Sequence, residues 1–168
     1  MKTDVHLESP SEGHFQEMNE KGTIVTIDGP AASGKTSVSR EVARRLGWRW
    51  VSTGAFYRGL AYILKEYRAD LDHEDEIAEL AQGVDWEVVL GSEQTRVILK
   101  GEDVTKGISH QEIGEMASRI SQFSRVRESL LQAQRDCAIG VRGLVAEGRD
   151  CGTVVFPHAD LKFYLEAK

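Results

Sequence analysis

Gly29-Pro30-Ala31-Ala32-Ser33-Gly34-Lys35-Thr36 matches the pattern G-x-x-x-x-G-K-[ST], in which a loop turns backbone N–H groups toward phosphate oxygens. Glycine at the two fixed positions keeps side-chain bulk out of the concavity that an anion must enter. Lys35 supplies a charge that can reach β- and γ-phosphates, and a hydroxyl such as that of Thr36 suits Mg2+. The chemistry available to this set is the binding of a nucleoside triphosphate. A chance match in an ordinary turn is the rival reading, and the flanking elements weigh against it.

Such a loop works between a buried strand and a helix, and both are legible. Ile24, Val25 and Ile27 form a β-branched apolar run that predicts a central strand. After the loop, Val38, Val42 and Leu46 recur at helical spacing, with Arg40, Arg44 and Arg45 on other faces. The helix then directs its positive end at the same anion. Gly47 ends it, and Trp48–Val51 predicts a second strand, parallel to the first because a helix connects them.

Ser52-Thr53-Gly54 leads into a helix reaching about Tyr67. Thr53 then sits at a strand end and Arg58 one turn into the helix, at the carboxyl edge where parallel sheets bind ligands. Leu71 to Gln82 predicts an acidic helix. Trp86–Leu90 and Thr95–Leu99 around Gly91–Gln94 read as a hairpin, with Gly101–Val104 offering a third strand. This antiparallel patch suggests an insertion from roughly Glu66 to Ile108 in an α/β chain.

From Gln111 to about Cys137 the pattern is helical, with Ile113, Ala117, Ile120, Val126, Leu130 and Leu131 as its apolar positions and a break or new cap at Ser124. Gly143–Ala146 is a short apolar strand that runs out into Glu147-Gly148-Arg149-Asp150, and Leu161–Leu165 is a last strand. The expected fold is α/β, with a mainly parallel sheet flanked by helices.

The 168 residues suffice for one core, and 40% hydrophobic with 29% charged residues is an ordinary globular balance. A net charge of −6 argues against broad nucleic-acid or membrane-surface binding, while leaving room for a local basic cleft. No apolar run reaches membrane-spanning length, and the N-terminus lacks a hydrophobic signal segment. Cys137 and Cys151 fit neither a disulfide framework nor a zinc site, so they read as thiols in a reducing cytoplasm. Residues 1–21 show neither period and predict a disordered extension, with His6 and His14 solvated.

Several blocks together carry a family resemblance: IDGPAASGKT, STGAFYRG, ILKGEDVT, ASRISQFSRVRESLLQAQR and EGRDCGTVVFPHADLKFYLEA, in that order, over about residues 22–167. The chain resembles the bacterial cytidylate kinases, a nucleoside monophosphate kinase family with the P-loop fold. The resemblance implies a kinase domain over 22–168 whose monophosphate-binding insertion spans about 66–137. It implies transfer of the ATP γ-phosphate to CMP or dCMP with Mg2+, in pyrimidine nucleotide metabolism, by a cytoplasmic monomer with no nucleic-acid or membrane partner.

On this likeness Lys35 and Ser33 to Ser37 would hold the donor phosphates, and Arg58 and Arg149 would clamp the acceptor phosphate. Lys35, Arg58 and Arg149 form the implied catalytic set. Thr53, Arg127 and Asp150 match positions that read cytosine, and Ser118 matches a sugar-contacting position. Glu147 stands where the family carries Asp or Glu, and with Thr36 it would serve the metal. Chemistry agrees: guanidinium forks suit phosphate oxygens, and a carboxylate can accept from the cytosine N4 amino group that uracil lacks.

Plainer readings stand beside these. Arg58 and Arg127 could be surface helix arginines, and Glu147, Arg149 and Asp150 a local ion-pair cluster. Trp48, Trp50 and Trp86 read as packing residues rather than base-stacking platforms. Ser52 precedes Thr53 where an acidic residue is usual. The family continues beyond Leu165 with an arginine-rich lid helix and further elements that have no counterpart in these residues. A nucleotide-binding fragment or regulatory module lacking the lid is therefore the alternative function.

Overall fold

Strand β1, Thr23–Asp28, is buried at every position after the first, as a strand covered on both faces must be. A computed structural model describes residues 22–91 and 93–166; the extension expected over 1–21 lies outside the described residues. Strands β2 (Arg49–Ser52), β6 (Gly143–Gly148) and β7 (Leu161–Tyr164) join β1 in a sheet of order β2-β6-β1-β7. All three pairings are parallel, and the register sets Asp28 opposite Gly148 and Ser52 opposite Glu147. The ends of β1, β2 and β6 therefore share one carboxyl edge.

The chain divides into two compact units. A sheet unit holds the described parts of Val5–Thr53, Leu90–Gln94 and Arg135–Lys168, and a helical unit holds Gly54–Val89 and Thr95–Gln134. In the sheet unit, helix α1 (Lys35–Leu46) lies over a core of Val25, Ile27, Ala43, Trp50 and Val145, with Val42 packed against it. The apolar row anticipated for α1 needs correction. Val38 and Leu46 are 44% and 48% exposed, and the buried positions are Ser39 and Ala43. Small residues let the helix approach closely, and the Trp50 indole N–H donates to Ser39 Oγ at 2.9 Å. A polar residue thus takes a core position that an apolar pattern does not reveal.

In the helical unit, α2 (Gly54–Glu66) buries Phe56, Leu60, Ile63 and Leu64. Its companions are α3 (Glu74–Gly83), α4 (Thr105–Ile108), α5 (Gln111–Ile120) and α6 (Ser124–Asp136). A small sheet, order β3-β4-β5, comprises β3 (Trp86–Leu90), β4 (Thr95–Leu99) and the two-residue β5 (Glu102–Asp103). Trp86 is fully buried, and its indole N–H donates to the Ala81 carbonyl. Ion pairs Arg119–Asp72 and Arg125–Asp75 tie the α3 region to α5 and α6. Being exposed, they add little stability.

Two elements lie beyond expectation. The break at Ser124 is real, but α4 is an additional turn of helix after β5. Past β6 the chain forms a π-helical turn over Cys151–Val155, for which no expectation was formed. Its Val155 and Phe156 N–H groups reach back five residues to Asp150 and Cys151 carbonyls. Among the described residues no helix is long and apolar enough to cross a membrane.

Candidate active site

The loop leaving β1 is wound for its task. Ala32 and Gly34 both adopt left-handed backbone, φ 57° and 82°, which helps turn successive N–H groups to the same side. Gly34 pays no steric cost for that conformation, whereas Ala32 carries some strain. Gly34 is also the N-cap of α1, with no side-chain cap and no acidic residue in the first turn. Those backbone donors are thus left for an external acceptor. Lys35 Nζ bridges the loop to donate to the Pro30 carbonyl at 2.9 Å. Ser33 Oγ is buried without a hydrogen-bond partner among the described residues.

Across the edge, Glu147 is buried near the end of β6 and accepts a hydrogen bond from Thr36 Oγ1 at 3.1 Å. The neighbouring strand supplies the second tie, because Gly29 N–H donates to the Gly148 carbonyl. Arg149 is exposed and Asp150 half-buried immediately beyond. Thr53, at the end of β2, is buried. Both its N–H and its hydroxyl donate to the Glu147 carbonyl, at 2.9 and 3.0 Å. Its hydroxyl is thus engaged in fixing the end of β6.

The structure also places residues that sequence reasoning passed over. Asp28, the last residue of β1, is 6% exposed. Its Oδ1 accepts from the Cys151 N–H and its Oδ2 from the Gly152 N–H, both at 2.8 Å. The available signal was a carboxylate closing an otherwise apolar strand. Arg135 holds the far end of the π turn by donating to the Val154 and Val155 carbonyls at 3.0 Å.

Cys151 packs its thiol 3.5 Å from Thr53 Oγ1. Burial, reinforced by the Asp28 charge, pushes that thiol well above the ordinary range. Burial likewise pushes Cys137 up to about 12. Neither is a nucleophile in this fold, since the thiolate is the reactive form.

The sheet unit therefore brings together Gly29 to Ser37, Thr53, Glu147, Arg149 and Asp150. Arg58, Ser118 and Arg127 belong to the helical unit. There Arg58 is held in place: its Nη1 donates to the Ile108 carbonyl at 2.8 Å and lies 3.5 Å from that of His110. Gly114 on α5 leaves it room, because a Cβ there would stand 2.7 Å from Nη2. Ser118 and Arg127 are exposed on α5 and α6.

A parallel sheet whose first strand feeds such a loop, with a buried carboxylate from the next strand bonded to its threonine, defines a P-loop nucleotide-binding protein. Within that class the sequence is more specific. The family model described as cytidylate kinase matches residues 25–168. The cytidylate kinase of Bdellovibrio bacteriovorus is 58% identical over 146 residues, covering 87% of this chain and 67% of that protein. Those of Shewanella oneidensis and Colwellia psychrerythraea are 45% and 43% identical, each covering 89% of this chain and 66% of their own length. The chain belongs to the cytidylate kinase family, and it spans about two thirds of the length of these relatives.

Proposed function

We propose that this chain carries out phosphoryl transfer from ATP to CMP or dCMP, giving ADP and CDP or dCDP. The observation that carries the reading is the Thr36–Glu147 hydrogen bond at the carboxyl edge. It sets the loop of β1 against the acidic end of β6. The open backbone donors of Gly34 and the first turn of α1, the bridging Lys35, and the unpartnered Ser33 hydroxyl all suit a polyphosphate.

In this reading Gly29 to Ser37 bind the donor phosphates and Lys35 spreads charge over the transferring group. Arg149, with Arg58 of the helical unit, neutralises the acceptor phosphate. Asp150, Thr53, Arg127 and Ser118 serve recognition of the nucleoside. Phosphoryl transfer asks little covalent chemistry of the protein, so positioning and charge neutralisation supply the rate. Thr53 would act mainly by holding Glu147 in register, because its hydroxyl already donates to that residue's carbonyl.

The donor set fits Mg2+. A hydroxyl and a carboxylate stand 3.1 Å apart. An ion held by one or two protein oxygens, phosphates and water matches that pattern. Thr36 and Glu147 would hold it, directly or through water, and it would neutralise charge on the β- and γ-phosphates.

Lys35→Ala tests the assignment. The lysine is on the loop and outside the core, so the fold is expected to survive while CMP-dependent ADP formation falls by 100-fold or more. Near-normal turnover by a folded Lys35→Ala protein would overturn the reading.

A further inference from the structure

We infer that Asp28 is a positioning residue that fixes the acceptor-side segment Arg149–Gly152 to the strand carrying the phosphate loop; the functional half of this inference rests on the reading above. Both oxygens of this buried carboxylate are spent on successive backbone N–H groups, those of Cys151 and Gly152. Those residues open the π turn and directly follow Arg149 and Asp150. The turn closes on Asp150 itself, whose carbonyl accepts from the Val154 N–H at 2.9 Å. Asp28 therefore sets where the backbone runs just after both acceptor-side residues.

The arrangement is built to bring the carboxylate close. A Cβ on Gly152 would stand 2.7 Å from Thr26 Oγ1 and 3.3 Å from Asp28 Oδ2, so only glycine lets the backbone approach. Gly148 makes a similar allowance, since a Cβ there would lie 2.2 Å from Thr53 Oγ1 and 2.8 Å from Cys151 Sγ. On its other side Asp28 is joined directly to Gly29, and its carbonyl accepts from the Leu165 N–H at 2.8 Å. One side chain thereby links the donor loop and the acceptor-side segment.

The role requires a carboxylate. An asparagine would offer one acceptor oxygen and turn an NH2 group toward the second backbone N–H, leaving it unpaired. Small displacements of positioning groups carry large penalties, because productive geometry tolerates only fractions of an ångström.

The test is Asp28→Asn, examined by amide hydrogen exchange and by separate titrations with ATP and with CMP. The expected result is loss of protection at whichever of the Cys151 and Gly152 amides faces the asparagine NH2 group, with the β1–β6 amides still protected. CMP affinity is expected to weaken about tenfold while ATP affinity stays within twofold.

Unchanged protection at Cys151 and Gly152, or equal weakening toward both nucleotides, would overturn the inference. Should Asp28→Asn fail to fold, Gly152→Ala strains the same contact from the other side and should give the same split. Failure of the unmodified chain to bind CMP would instead sink the proposed function, and hydrogen exchange would still decide the role of Asp28.

Discussion

Asp150 and Asp28 lie at the same carboxyl edge and are both acidic, yet their surroundings assign them different work. Asp28 is buried and each of its oxygens accepts from a backbone N–H, which suits it to organising the backbone. Asp150 is half-buried at the mouth of the π turn, where a carboxylate can meet a ligand. If Asp150 reads the exocyclic amine of cytosine, Asp150→Ala should reduce the preference for CMP over UMP by about 10-fold to 100-fold, the range of one good base-edge contact. Competition between the two acceptors measures this, and unchanged selectivity would remove Asp150 from base reading. Thr53 combines the two kinds of work. Its hydroxyl donates to the Glu147 carbonyl and so helps fix the end of β6, while its oxygen can still accept from a ligand as the family resemblance implies.

At the scale of elements, legibility followed local sequence pattern rather than burial. Strands β3 and β4 were readable to the residue, because β-branched and aromatic residues on either side of a Gly-containing turn favour paired strands. The phosphate loop was readable because its chemistry fixes its spelling. Helix α1 was readable in extent but not in orientation. Its inward positions are Ser39 and Ala43, whose smallness is the point of contact with Trp50 and has no hydrophobic signature. The π turn was invisible because its stabilising partners, Asp28 and Arg135, are 123 and about 20 residues away.

Helix α2 offers a direct test of packing. A Cβ on Gly59 would stand 2.6 Å from Trp86 Cζ3 and 3.1 Å from Val97 Cγ1. Gly59→Ala should therefore destabilise the protein by about 1–3 kcal/mol, the usual range for overpacking a filled core. Urea unfolding would register the loss. An unchanged midpoint would mean that Trp86 has freedom to move.

For the molecule as a whole, parallel pairing of four strands carries the phosphate loop, Glu147 and the Arg149–Asp150 pair to one edge. The helical unit separately holds Arg58 against backbone carbonyls. Strand β7 ends the sheet with Leu161, Phe163 and Tyr164 more than half exposed, and it was legible as a strand from its apolar run alone.

Family membership follows from the match over residues 25–168. The decisive measurement is ADP release by the chain with ATP and Mg2+ in the presence of CMP, dCMP, UMP, AMP or shikimate in turn. The account predicts release that depends on CMP or dCMP and is lost in Lys35→Ala. Silence with both cytidine nucleotides, or release driven by AMP or shikimate instead, would contradict it.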